Sequence, residues 1–147
     1  MNLTSPTSVV SEESKSFNTE NLGRHRRLHV TVRFMKPGIY HVKFSTVPSS
    51  NFGEGLAVFK DGKVNGGDLG YIYRGTYEIS DSKVTARLHL RRWNPSIASI
   101  FGSFPEFDLD LAGHIPLDGT LFYVEGAVVQ NPKLRITIHG RRLGDAA

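Results

Sequence analysis

Beyond Met35 the chain alternates apolar and polar side chains one for one, in short runs parted by turn-forming residues, and this rhythm leaves few folds open. Successive side chains on an extended strand point to opposite faces, so such a run buries one face and wets the other. In residues 39–45, Tyr40, Val42 and Phe44 oppose His41, Lys43 and Ser45. In residues 71–79, Tyr71, Tyr73, Tyr77 and Ile79 oppose Ile72, Arg74, Thr76 and Glu78. Residues 84–92 set Val84, Ala86, Leu88 and Leu90 against Thr85, Arg87, His89 and Arg91, and residues 107–115 set Phe107, Leu109, Leu111 and Ile115 against Asp108, Asp110 and His114. Further strands are expected over residues 54–60, 63–66, 120–129 and 134–143, the last with Leu134, Ile136 and Ile138 inward.

Turn chemistry joins these runs. Asp61-Gly62 between Lys60 and Lys63 suits a two-residue hairpin, because both central residues take positive φ at little cost. Ser80-Asp81-Ser82, Pro116-Leu117-Asp118-Gly119 and Asn131-Pro132-Lys133 turn the chain again. One stretch breaks the rhythm: Asn94 can cap and Pro95 can open a helix, and Ile97, Ile100, Phe101 and Phe104 recur on one helical face until Gly102 and Pro105. The segment is expected to be a short helical plug, or an apolar patch offered to a second subunit.

About eight short strands with short links predict an all-β, antiparallel, up-and-down barrel, since closing the sheet removes exposed edges. Such a barrel is filled by side chains or holds one small ligand. With 147 residues the chain is a single domain large enough to fold without staples, and the absence of cysteine excludes disulfides, thiolate metal sites and a cysteine nucleophile. Residues 1–23 are polar and aperiodic; Leu28, Val30, Val32 and Phe34 then alternate, so residues 28–34 are either an added edge strand or loose. The expected organisation is a flexible, disordered extension over residues 1–34, a barrel over 35–143 and a tail over 144–147. Neither a secretory leader nor a membrane-spanning run is visible, and the chain reads as cytoplasmic with no membrane partner.

Sites for chemistry are sparse. Gly53-Glu54-Gly55 starts like a dinucleotide fingerprint, but Val58 stands where the third glycine belongs and no helix follows. Asp108 and Asp110 share a wet face and read as solvated residues rather than an acid–base pair. His41, His89, His114 and His139 fall on four strands and read as surface residues rather than metal ligands. Arg87, Arg91, Arg92, Arg141 and Arg142 could form an outer stripe, yet a net charge of +4 without interleaved exposed aromatics or a groove-entering helix does not point to nucleic acid. No cofactor, metal or catalytic residue is expected, and the chain is not read as an enzyme.

Met35-Lys36-Pro37-Gly38-Ile39-Tyr40, Gly53-Glu54-Gly55 with its following strand, Gly66-Gly67-Asp68 and Tyr73-Arg74-Gly75 stand in an order and spacing that resemble the GrlR-like family, negative regulators of type III secretion genes. The resemblance runs over about residues 35–142 and is looser around Arg92-Trp93-Asn94. It implies a lipocalin-like barrel, a homodimer, and action by holding a transcriptional activator in an inhibited complex. The family regulator carries an acidic Glu-Asp-Glu-Asp run after its Tyr-x-Gly strand for that contact; here only Glu78 and Asp81 remain, beside Lys83, and a thinner acidic surface selects a basic partner less well. Glu78, Ser80, Asp81 and Ser82 are the expected partner-binding residues. Met35 aligns with the family's start, so residues 1–34 are expected to be an extension or a misassigned start, which intact mass tests. The alternative function is a carrier of a small apolar ligand, lined by Tyr40, Phe44, Tyr71, Tyr73 and Leu111.

Overall fold

The computed structural model describes residues 15–19, 26–30, 35–102, 104–116 and 118–147. Its strands are β1 (Lys15–Thr19), β2 (Arg26–Val30), β3 (Gly38–Val47), β4 (Phe52–Lys60), β5 (Lys63–Gly67), β6 (Tyr71–Ser80), β7 (Lys83–Arg92), β8 (Glu106–His114), β9 (Leu121–Val128) and β10 (Asn131–Gly144). Strands β3 to β10 pair antiparallel, each with its neighbour in sequence, and β10 returns to β3 to close the barrel. Among the described residues there is no helix, and so none long and apolar enough to cross a membrane.

The β4–β5 hairpin shows how local chemistry fixes register. Asp61 and Gly62 have φ of 53° and 78°, and this pairs Lys60 with Lys63 and Phe59 with Val64. The pairing sends Ala57 and Phe59 inward and leaves Leu56, an apolar residue of the same run, half exposed on the outer wall. On the other strands the alternation sorts side chains as expected. Tyr40 and Val42, Tyr71 and Tyr73, Val84, Leu88 and Leu90, Phe107, Leu109 and Leu111, and Ile136 and Ile138 are all buried in one core.

Aromatic rings gather at one end of that core. Tyr40, Phe59 and Phe122 stack edge-to-face or tilted with centroids 5.2–5.6 Å apart, and Tyr77 adds its ring 5.3 Å from Phe59. Each such pair contributes about 0.5–1.5 kcal/mol beyond burial. The Phe122 ring occupies the space above Gly140, where any Cβ would collide with it, so a glycine is required there. We call this the sealed end.

Two expectations change. The described residues of the stretch 93–105 form a looped cap instead of a helix. Asn94 does start a turn, its side chain accepting from Ser96 N and its carbonyl from Ile97 N, both at 3.1 Å. Ser99 and Gly102 then exchange backbone hydrogen bonds, and Gly102 takes φ of 103°. The apolar run is too short to offset helix nucleation before Gly102 and Pro105 end it. The second change lies in the extension expected as a disordered tail, where β1 and β2 form a two-stranded antiparallel sheet of their own, with Phe17 opposite Leu28. The strand expected over 28–34 is thus β2, which pairs with β1 and not with the barrel; residues 31–34 and the rest of the extension lie outside the described residues.

Candidate functional site

Away from the sealed end the barrel is hollow. A cavity of about 400 Å³ opens above that end, with Phe59 and Phe122 of the sealed end in its lining and apolar side chains such as Leu88, Leu109, Val124 and Ile138 as its walls. Small inward residues make room for it: Ala57 and Ala86 line it, and Gly53 leaves the Phe44 ring its place. The loops at the mouth join β5 to β6 and β7 to β8.

These two loops clasp each other. Trp93 Nε1 donates to Asp68 O and Asn94 Nδ2 to Leu69 O, both at 3.1 Å, while Trp93 N donates to Gly70 O at 2.9 Å. Gly70 lies so close to Ile97 that an added Cβ would come within 2.6 Å of its Cγ2. The Asp68 carboxylate organises the turn from inside, with Oδ1 accepting from Gly70 N and Tyr71 N at 2.8 Å each and Oδ2 accepting from the Tyr73 hydroxyl. Burial, then the hydrogen bond to Asp68, pushes the Tyr73 phenol far up, so it stays a donor. Around the mouth Phe52, Leu69 and Trp93 are 78%, 76% and 52% exposed, an apolar rim.

Of the residues expected to line a ligand, Phe44, Tyr71, Tyr73 and Leu111 do so. Tyr40 does not: it is fully buried in the sealed end, its hydroxyl donating to Lys36 O at 2.7 Å and Gly119 O at 3.1 Å. Ile97, Ile100 and Phe101 line the cavity mouth, whereas Phe104 packs on Phe107 at 6.1 Å outside the lining. The partner-binding candidates sit at the far end. Glu78, Ser80 and Asp81 are exposed at the β6–β7 turn, Asp81 with φ of 58°, and Ser82 is half-buried with its carbonyl accepting from Ile115 N at 2.9 Å. The rim and this turn are therefore separate surfaces.

The outer wall carries ion pairs. His89 lies between Asp108 at 2.7 Å and Glu106 at 2.8 Å, and Arg87 forks onto Asp110. Asp108, and then Glu106, raise the His89 pKa; His89 and then Gln130 lower that of Asp108. His41 pairs with Glu54 at 2.7 Å and the His139 ring lies 4.8 Å from that of Tyr123. No group of three or more acids and histidines gathers for a metal among the described residues. The arginines are divided between β7 (Arg87, Arg91, Arg92) and β10 (Arg141, Arg142), with β8 and β9 between them; Arg142 donates to Pro37 O at 2.9–3.0 Å and pairs with Asp145 at 2.5 Å, and Arg92 reaches Tyr71 Oη at 3.4 Å.

The sequence pattern shows Gly66-Gly67-Asp68 as a motif and gives no sign that Asp68 organises the mouth. The two motifs that meet there, Gly-Gly-Asp and Arg-Trp-Asn, are brought together only by the topology.

Comparison with known proteins adds one finding. A sequence model of the family described as "T3SS negative regulator, GrlR" matches residues 35–146, which hold every barrel strand from β3 to β10. No curated protein matches the chain.

Proposed function

The chain belongs to the GrlR family of negative regulators of type III secretion, and on that premise we propose that it is a non-enzymatic regulator that works by capturing a protein partner, a transcriptional activator. The observation that carries this reading is the family match across the whole barrel. The partner docks at the β6–β7 turn through Glu78, Ser80, Asp81 and Ser82, where two exposed carboxylates offer negative potential to a basic surface. Capture takes place in the cytoplasm, and the regulator is a homodimer joined through the apolar mouth rim around Ile97. Affinity capture from the native cell tests the reading. The wild-type protein should retain a transcription factor and the E78K/D81K variant should lose it; equal retention by both would reject this surface.

A second reading is favoured by the cavity. An apolar volume of about 400 Å³ falls within the ~300–1,000 Å³ usual for ligand pockets, which supports carriage or sensing of a small apolar molecule. Mass spectrometry of the gently purified protein under native conditions would find the ligand bound; an empty protein would count against it.

A further inference from the structure

The polar groups at the cavity are biased toward one kind of ligand. Among the described residues no lysine, arginine or histidine lines it. Glu54 borders it but turns its carboxylate outward to His41. Tyr71 spends its hydroxyl proton on Phe104 O, and Tyr73 spends its own on Asp68. Ser99 Oγ accepts from Phe101 N. Arg92, which is not among the lining residues, reaches Tyr71 Oη at 3.4 Å. Two lining side chains keep hydrogen-bonding capacity, Ser99 with its hydroxyl proton and Asp68 with its carboxylate, and of the two only Asp68 can carry a charge. An ionised carboxylate offers about four acceptor positions. Gly70 N, Tyr71 N and the Tyr73 hydroxyl fill three, leaving one acceptor on a residue that itself lines the cavity.

We propose that the cavity takes a neutral or cationic amphiphile, an alcohol or amine on an apolar body, and that Asp68 is its specificity-determining residue; this rests on the ligand-carrier reading above. A hydroxyl or ammonium donor completes the hydrogen bonding of Asp68 as its tail fills the barrel. A carboxylate or phosphate head would instead be desolvated beside a like charge with no cation to answer it. An ordinary fatty acid is therefore the wrong ligand for this barrel. The space equals that of roughly thirteen waters at about 30 Å³ each, which suits a tail of about ten carbons.

Trp93, the single tryptophan, donates to Asp68 O and reports on the mouth by its fluorescence. The full chain is titrated with decan-1-ol, decylamine and decanoate. The protein's net charge of +4 favours decanoate in any non-specific association, so a preference for the amine is diagnostic. Decanol and decylamine should bind, and decylamine should bind at least about tenfold more tightly than decanoate. In D68N the amine should weaken about tenfold while the alcohol stays within about threefold. Decanoate binding as tightly as decylamine would overturn the inference and leave the carrier reading standing. Unchanged selectivity in folded D68N would remove Asp68 from it, and failure of all three ligands would overturn both. Should D68N fail to fold, the amine-to-acid ratio of the wild type decides alone.

Discussion

Replacing Tyr40 by phenylalanine separates a structural role from a ligand-binding one. The hydroxyl is buried, and desolvation holds its pKa far above the usual phenol range, so it is a fixed donor shared between Lys36 O and Gly119 O. Gly119 O keeps a second donor, Lys36 N at 3.0 Å, after the change; Lys36 O is the group left short. One net hydrogen bond is worth about 0.5–1.5 kcal/mol, so Y40F should cost about 1 kcal/mol. With an unfolding entropy of about 2.1 cal/mol/K per residue, a barrel of this size should melt about 4 °C lower by differential scanning calorimetry. Y40A also removes the ring between Phe59 and Phe122 and should cost about 3–5 kcal/mol. Decanol binding should be unchanged in Y40F, because the residue seals the barrel and does not line its cavity. A Y40F protein that melts like the wild type but no longer binds decanol would refute this placement.

G75A should destabilise the barrel by about 1–3 kcal/mol in urea titrations, because the new Cβ would run into Arg87 O of the neighbouring strand. G62A should cost about 1 kcal/mol by the same measurement, since Gly62 holds φ of 78° in the hairpin turn. E78K should leave the stability within about 0.5 kcal/mol of wild type because Glu78 is exposed, whereas D81K should cost up to about 1 kcal/mol because it puts a lysine at the φ of 58° that Asp81 holds. His89 should titrate above its ordinary value by NMR. Its raised pKa contributes stability that is present below the unfolded histidine pKa and is lost as pH rises through the folded one. Because His89 is half exposed the effect is small, and H89Q should abolish it.

Strand positions and inward faces were legible in the sequence because a strict two-residue period leaves only one choice of buried face once a run alternates. Leu56-Ala57-Val58-Phe59 does not alternate, and its parity came from the Asp61-Gly62 turn acting on the pairing of β4 with β5. Tyr40 and Phe44 share a face, but period-two logic says nothing of height along the barrel, and only the three-dimensional structure shows Tyr40 tied to Lys36 O and Gly119 O while Phe44 lines the cavity. Asp68 was hidden for a different reason. Its carboxylate binds within its own turn and to Tyr73 five residues on, and only the pairing of β6 with β7 brings Trp93 onto its carbonyl, so its role as organiser of the mouth exists once that hairpin has formed.

Closure of β10 onto β3 underlies the hollow interior, the sealed end and both proposed surfaces. Ser45 Oγ and Thr137 Oγ1 meet at 2.9 Å across that seam although 92 residues apart in sequence. The native chain has no cysteine, so an S45C/T137C variant under mild oxidation reports on this contact alone. The account predicts a single intramolecular disulfide by intact mass and non-reducing gel, with raised stability. Two persistently free thiols, or links only between chains, would contradict it.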